Sequence, residues 1–182
     1  MSEVDLVRSR VNEKAKKQKA QRQIMKLFIV SSCLIFGTLL VIWLIQMGQK
    51  TTIPNIYIQS TFIILLSSGG LFLVNKAIKR NQLQHAVYFT VITITLGMLF
   101  GITQIMGWNH LLESDRVYRS ILIPFSIVHF IHIAVGLILL TVIFFKLRNY
   151  EIHSKAMGFS SNVFYFWHFL GIVWVAFLAV IS

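Results

Sequence analysis

Long stretches without an acidic or basic side chain alternate along this chain with short segments that carry all of its charge. The uncharged stretches are Leu27–Met47, Thr51–Asn75, Asn81–Leu112, Ser120–Phe145 and Ala156–Ser182. Each is long enough for the ~20 apolar residues with which a helix crosses ~30 Å of hydrocarbon. None shows the alternation of a membrane β-strand, and lipid offers an open backbone no hydrogen-bond partners, so each stretch predicts a helix. The expected fold class is all-α, a polytopic bundle of five transmembrane helices with spans at about 27–47, 54–75, 86–107, 121–145 and 162–181. These form one domain over 24–182, preceded by a basic polar segment at 1–23. That segment has only scattered apolar positions, so it could form a helix only as a solvated or membrane-surface segment; it reads as a flexible tail near anionic headgroups or as a contact for a cytoplasmic partner.

The charged segments add an orientation. Arg8, Arg10, Lys14, Lys16, Lys17, Lys19, Arg22 and Lys26 precede the first span; Lys76, Lys79 and Arg80 follow the second; Lys146, Arg148 and Lys155 follow the fourth. An odd number of crossings separates them from Lys50, Arg116 and Arg119. Fourteen cations against three put the N-terminus in the cytoplasm and the C-terminus outside, by the rule that basic loops stay on the cytoplasmic side.

Composition agrees with a membrane protein: 56% of the 182 residues are hydrophobic, 13% are charged and the mean hydropathy is +0.73. The net charge of +11 would suggest nucleic acid in a soluble protein. Here the stackable aromatics, such as Trp43 and Phe100, lie inside the spans, so no nucleic-acid partner is expected. A lone cysteine, Cys33, excludes an intramolecular disulfide and any thiolate cluster.

Inside the spans the informative residues are the small and polar ones, since helices in lipid associate by close packing and hydrogen bonds. Ser67-Ser68-Gly69-Gly70 and the Gly97–Gly101 pair read as packing seams, and Gln104 is placed to add a bond between helices. His129 and His132, at i, i+3, share a face of the fourth span, and His168 sits near the cytoplasmic end of the fifth. Counting ~1.5 Å per residue puts His132 about level with His168, a geometry that permits a b-type haem between them. The competing reading is that these histidines bond to neighbouring helices or headgroups. No Asp or Glu lies in any span, which argues against a di-metal carboxylate site and against a pump or channel acting alone.

Two segments carry a family resemblance. Ser126 to Gly136, with His129, His132 and Gly136, resembles the H-x-x-H-x-x-x-G helix of haem-copper terminal oxidase subunit III. Phe164 to Trp174, with Tyr165, Trp167, His168 and Trp174, is similar to that family's Y-W-H-F-V-D-x-V-W ending. Upstream, Leu96-Gly97 with Phe100 and Gln104 matches L-G-x-x-F-x-x-x-Q, and Leu66-Ser67-Ser68 resembles the serine-rich helix before it. Five helices correspond to the short bacterial form.

The resemblance implies a multi-pass subunit of the bacterial cytoplasmic (inner) membrane, in a complex that reduces oxygen to water and translocates protons. It would bind no cofactor and no metal itself, the haem and copper belonging to subunits I and II. It would pack on subunit I and hold phospholipid, with membership of a larger respiratory supercomplex left open. His129, His132, Gly136, Trp167, His168, Trp174, Gly97, Gly101 and Gln104 would serve packing and lipid contact, none of them catalysis. Three family carboxylates are replaced, by Cys33 in the S-E-x-x-F pattern, by Gly107 in Q-x-x-E-[WY] and by Gly171 in W-H-F-V-D. A divergent branch associated with nitric oxide reductase is the other family reading.

Overall fold

A computed structural model of the protein describes residues 3–46, 54–112, 116–154 and 157–181. Five helices follow one another: α1 (Glu3–Gln46), α2 (Asn55–Lys79), α3 (Leu83–Leu112), α4 (Arg116–Arg148) and α5 (Gly158–Ile181). Each is long and apolar enough to cross a membrane, and no strand occurs among the described residues. The protein is a multi-pass, all-α membrane protein.

Helix α1 begins at Glu3, well inside the segment expected as a polar tail. No glycine or proline interrupts the chain before Gly37, and the Lys, Gln, Arg, Ala and Glu residues there are good helix formers. The segment is helical, and all side chains described between Arg8 and Ala20 are exposed.

Helices α2, α3, α4 and α5 close into a ring in which each packs on the next and α5 returns to α2; α1 lies outside it, against α5 and α4. Two turns hold one end of the ring. Helix α2 ends in Asn81 at φ 56°, with the Asn81 N–H on the Ile78 carbonyl and the Gln82 N–H on that of Ala77. Helix α4 ends alike in Tyr150 at φ 59°, with its N–H on Leu147 and that of Glu151 on Lys146. Both are left-handed caps that give the last carbonyls of a helix their partners. The Ser154 N–H donates to Asn81 Oδ1 at 3.1 Å and joins the two turns. Gln18 of α1 comes up to Gly158, and Lys17 lines a depression with Lys146. Three basic segments therefore meet at one end of the bundle, as the charge pattern requires; Lys155 and Lys50 lie outside the described residues. The Lys146–Glu151 ion pair there, at 2.6 Å, is too exposed to contribute much.

Tyr150 is 73% exposed, so its side chain gives little in return for a backbone that L-residues disfavour. Tyr150→Gly is expected to stabilise the purified protein by about 1 kcal/mol, read as a higher thermal midpoint in detergent.

Candidate functional site

The interior of the ring is set by one stripe of α5. Trp167, Leu170, Trp174, Phe177 and Ile181 recur at three- and four-residue steps and are all buried. That spacing keeps them on one helical face, pointing into the ring.

Trp167 lies in a slot cut by two glycines. A Cβ at Gly97 of α3 would stand 2.7 Å from Trp167 Cη2, and one at Gly136 of α4 would stand 2.9 Å from its Cε3. Gly97 would also meet Leu137 at 2.8 Å, whereas Gly101 would meet Phe130 only at an ordinary 3.5 Å. The two glycines of the α3 pair thus both face other helices, and Gly97 is the one that admits no side chain. The second seam joins α2 to α3, where Ser67 Oγ donates to the Thr93 carbonyl at 3.2 Å and a Cβ at Gly70 would fall 2.8 Å from Thr93 Oγ1. Gly69 faces open space.

About two and three turns beyond Trp167 the core becomes a box of rings. Trp174 meets Phe100 edge-on (5.5 Å, 89°) and stacks on His129 (5.2 Å, 26°), while Phe125 stacks on Phe177 at 3.4 Å. Trp174 Nε1–H donates to Thr61 Oγ1 at 3.2 Å, which ties α5 to α2. His129 is fully enclosed among Trp174, Phe100, Phe125 and Phe36, and neither ring nitrogen has a hydrogen-bond partner among the described residues. Gln104 Nε2 donates to Ser60 Oγ at 3.3 Å, the bond between helices that its position suggests.

His132 and His168 are turned to different neighbours. His132 faces α1: Nδ1 lies 2.7 Å from the Val128 carbonyl, Nε2 lies 3.0 Å from Ser32 Oγ, and the ring packs between Phe28 and Phe36. A carbonyl only accepts, so Nδ1 carries the proton; in the neutral ring Nε2 then accepts from the Ser32 hydroxyl. Ser32 Oγ is also 2.7 Å from the Phe28 carbonyl, and its single hydrogen is shared between these acceptors. His168 faces α2, with Nδ1 3.1 Å from Ser68 Oγ.

This corrects the haem geometry read from rise per residue. An iron between the two histidines needs a free nitrogen from each, aimed into a common space. Here His132 has both nitrogens engaged and packs under α1, while His168 opens beside α2. A common level along the bundle would not entail facing, because rotation about each helix axis decides that. Among the described residues, no three His, Cys, Asp or Glu side chains are grouped to hold a metal ion.

Sequence reasoning missed several contacts. Trp108 Nε1–H donates to Ser126 Oγ at 2.7 Å across α3 and α4. A Cβ at Gly107 would stand 2.7 Å from the Tyr57 hydroxyl, and one at Gly171 would stand 3.5 Å from Ser68 Oγ. Gly107 and Gly171, where the resemblance implies replaced carboxylates, thus lie against a neighbouring helix; Cys33, the third such position, is exposed.

Ser32→Ala is expected to lower the stability of the purified protein by about 1–3 kcal/mol, because His132 Nε2 keeps its burial and loses its partner. A thermal midpoint equal to that of the parent would show the bond to be dispensable.

The helices and motifs now have a family to answer to. A family model described as cytochrome c oxidase subunit III matches residues 10–182. The chain belongs to the cytochrome c oxidase subunit III family. Curated relatives agree. A cytochrome bo(3) ubiquinol oxidase subunit 3 from Buchnera aphidicola subsp. Baizongia pistaciae is 28% identical over 162 residues, 82% of this chain and 84% of the relative. A probable cytochrome c oxidase subunit 3 from Rickettsia prowazekii is 26% identical over 159 residues, 81% of this chain but 57% of the relative. Cytochrome c oxidase subunit 3 of Cyanidium caldarium is 31% identical over 121 residues, 64% of this chain and 44% of the relative. The chain is thus a terminal-oxidase subunit III whose length is nearer that of the Buchnera protein. The residues that carry the resemblance, His129, His132, Gly136, Trp167, His168 and Trp174, join α4 and α5 to each other and to α1, α2 and α3.

Proposed function

We propose that this subunit III is non-catalytic, and that it packs on subunit I of a bacterial aerobic oxidase and holds phospholipid at its surface. In this reading it sits in the cytoplasmic membrane with its N-terminus inside, and haem and copper belong to its partners. The complex reduces oxygen to water and translocates protons.

The observation that carries the reading is that the two imidazoles best placed for redox work are bonded to serines of other helices, Ser32–His132 and Ser68–His168. They act as ties between helices. The meeting of three basic segments at one end supports the orientation, since one side of the membrane then takes nearly all the cations. A groove of about 550 Å³ between α2 and α5, lined by Leu65, Ser68, His168, Gly171, Ile172 and Val175, is suited to an acyl chain. Names of both electron-donor classes, ubiquinol and cytochrome c, occur among the relatives.

The test is purification from membranes through a tag on this chain. Co-purification of a haem-copper subunit I, with no haemochrome band from the isolated chain, is the expected result. A chain that leaves the membrane without subunit I, or that shows a haemochrome band alone, would overturn the reading.

A further inference from the structure

Helix α1 is longer than the bundle it packs on. Its inner face advances in three- and four-residue steps through Phe36, Ser32, Phe28 and Met25, all in or against the core. Counted back, the same steps pass Gln21 and reach Gln18, which comes up to Gly158, the first residue of α5. There the packed bundle ends and the helix does not. Residues 3–17 continue α1 for about 22 Å beyond it. We propose that this overhang is a docking surface for an acidic amphipathic helix of a partner outside the membrane, which pairs with it as a short coiled coil.

The register supplies the seam. Beyond Gln18 it passes through positions 14, 11, 7 and 4, which are lysine, valine, valine and valine. Of the large apolar residues between 3 and 23, namely Val4, Leu6, Val7 and Val11, Leu6 alone falls off this line. Valine is a poorer helix former than the lysine, glutamine and alanine around it, so three valines on one line do not serve to keep the helix wound. Val11 is 59% exposed, an apolar side chain left to water. β-Branched residues at such steps are what a two-stranded coiled coil buries.

The flanks name the partner's charge. With the valines at the a and d positions of a heptad, the e and g positions are Arg8, Arg10, Ala15 and Lys17, preceded by Glu3 at the start of the helix. Asp5 and Glu13 fall at b and c, on the outer side. Charges at e and g pair across a coiled coil, so these flanks select carboxylates. A second copy of this chain, held in the same membrane, would run parallel and set cation against cation. An anionic membrane surface is out of reach. Arg8 precedes the uncharged run at Leu27 by about 28 Å of helix, and no glycine or proline lies between to kink it. The headgroup layer is only ~5–8 Å deep and the Debye length ~8 Å. The chemistry that fits both seam and flanks is an acidic helix with an apolar stripe of its own.

The test uses the full chain in nanodiscs of phosphatidylcholine, washed with high salt to release partners held by charge. The probe is a fluorescent four-heptad peptide with leucine at a and d and glutamate at e and g, which its own charge keeps from self-pairing. A peptide of the same composition in scrambled order is the control. Anisotropy is expected to show the ordered peptide bound about tenfold or more tightly than the scrambled one. Val7→Ser with Val11→Ser removes two seam residues at little cost in helix propensity and is expected to weaken binding about tenfold or more. Arg8→Glu with Arg10→Glu is expected to weaken it about tenfold and to create binding of a peptide with lysine at e and g. Lys16→Glu with Lys19→Glu makes the same charge change at the outward f and b positions and is expected to alter affinity less than about threefold. All these substitutions lie at or beyond the end of the bundle, so its fold is kept. Absence of peptide binding, equal binding of the ordered and scrambled peptides, or equal loss in the outward and flanking variants would each overturn the docking surface. So would displacement of the ordered peptide by single-stranded DNA of equal charge at the same concentration as unlabelled peptide. The proposal goes beyond the function above and does not rest on it, since peptide binding is read on this chain with or without subunit I.

Discussion

Replacement of Gly97 by leucine is expected to reduce the recovery of intact protein roughly tenfold or more, the largest effect of any single change in the membrane region. The first added atom already falls 2.7 Å from Trp167 Cη2 and 2.8 Å from Leu137 Cδ2. Trp167 has nowhere to retreat, because its opposite edge lies where a Cβ at Gly136 would stand at 2.9 Å. Overpacking a core by a methylene or two costs about 1–3 kcal/mol, and leucine adds four heavy atoms against a ring held on both sides. Gly97→Ala adds only the first of them and is expected to cost about 1–2 kcal/mol. Two controls separate packing from helix propensity. Gly101→Ala meets Phe130 at 3.5 Å and Gly69→Leu meets nothing within 4 Å, so both are expected to give parental yield. Oxygen reduction per assembled oxidase should stay near the parental rate throughout. A normal yield for Gly97→Leu, measured by detergent extraction and size-exclusion chromatography, would show that the slot is not rigid.

Trp167→Ala is the complementary change. It empties the same slot and is expected to destabilise the bundle by about 3 kcal/mol, the lower end of the range for deleting a buried indole. The lower end applies because lipid, not water, surrounds the separated helices, so lost packing rather than lost burial dominates. The indole nitrogen of Trp167 has no hydrogen-bond partner among the described residues, so Trp167→Phe should lose only volume. At Trp174 the same substitution also breaks the bond to Thr61 and is expected to cost about 1 kcal/mol more. Tryptophan-specific fluorescence would be confounded by these changes; thermal midpoints from light scattering avoid that. A Trp167→Phe variant less stable than Trp174→Phe would contradict the assignment of bonds.

The five helices were legible because membrane spans are declared by uninterrupted apolar length, and charge asymmetry grouped their ends correctly. The Gly97–Gly101 pair and Gln104 were legible for the same kind of reason: glycine in lipid marks close approach, and an amide there needs a partner. What stayed hidden depended on rotation about the helix axes. Counting rise per residue along α4 and α5 does not tell that His132 faces Ser32 of α1 and His168 faces Ser68 of α2. The slot of Trp167 was hidden likewise, since it takes one glycine from α3 and another from α4, 39 positions apart. Helix α1 was underestimated because polar residues show no apolar period, although Lys, Gln and Ala favour helix when a long span anchors one end.

The placement of α1 has a consequence for synthesis. Helices α2 and α3 can pair through a short turn as soon as both have been made, but α1 packs on α4 and α5. The partner of Ser32 lies 100 residues downstream, and Gly158, which Gln18 approaches, lies 140 residues on. Helix α1 leaves the ribosome before α2, α3, α4 and α5 yet is among the last of the five to find its place, and it must wait in lipid while the ring forms beside it. Chains truncated before α5 would present this unattached helix to membrane quality control, which makes the dwell time of α1 a point at which assembly and degradation compete.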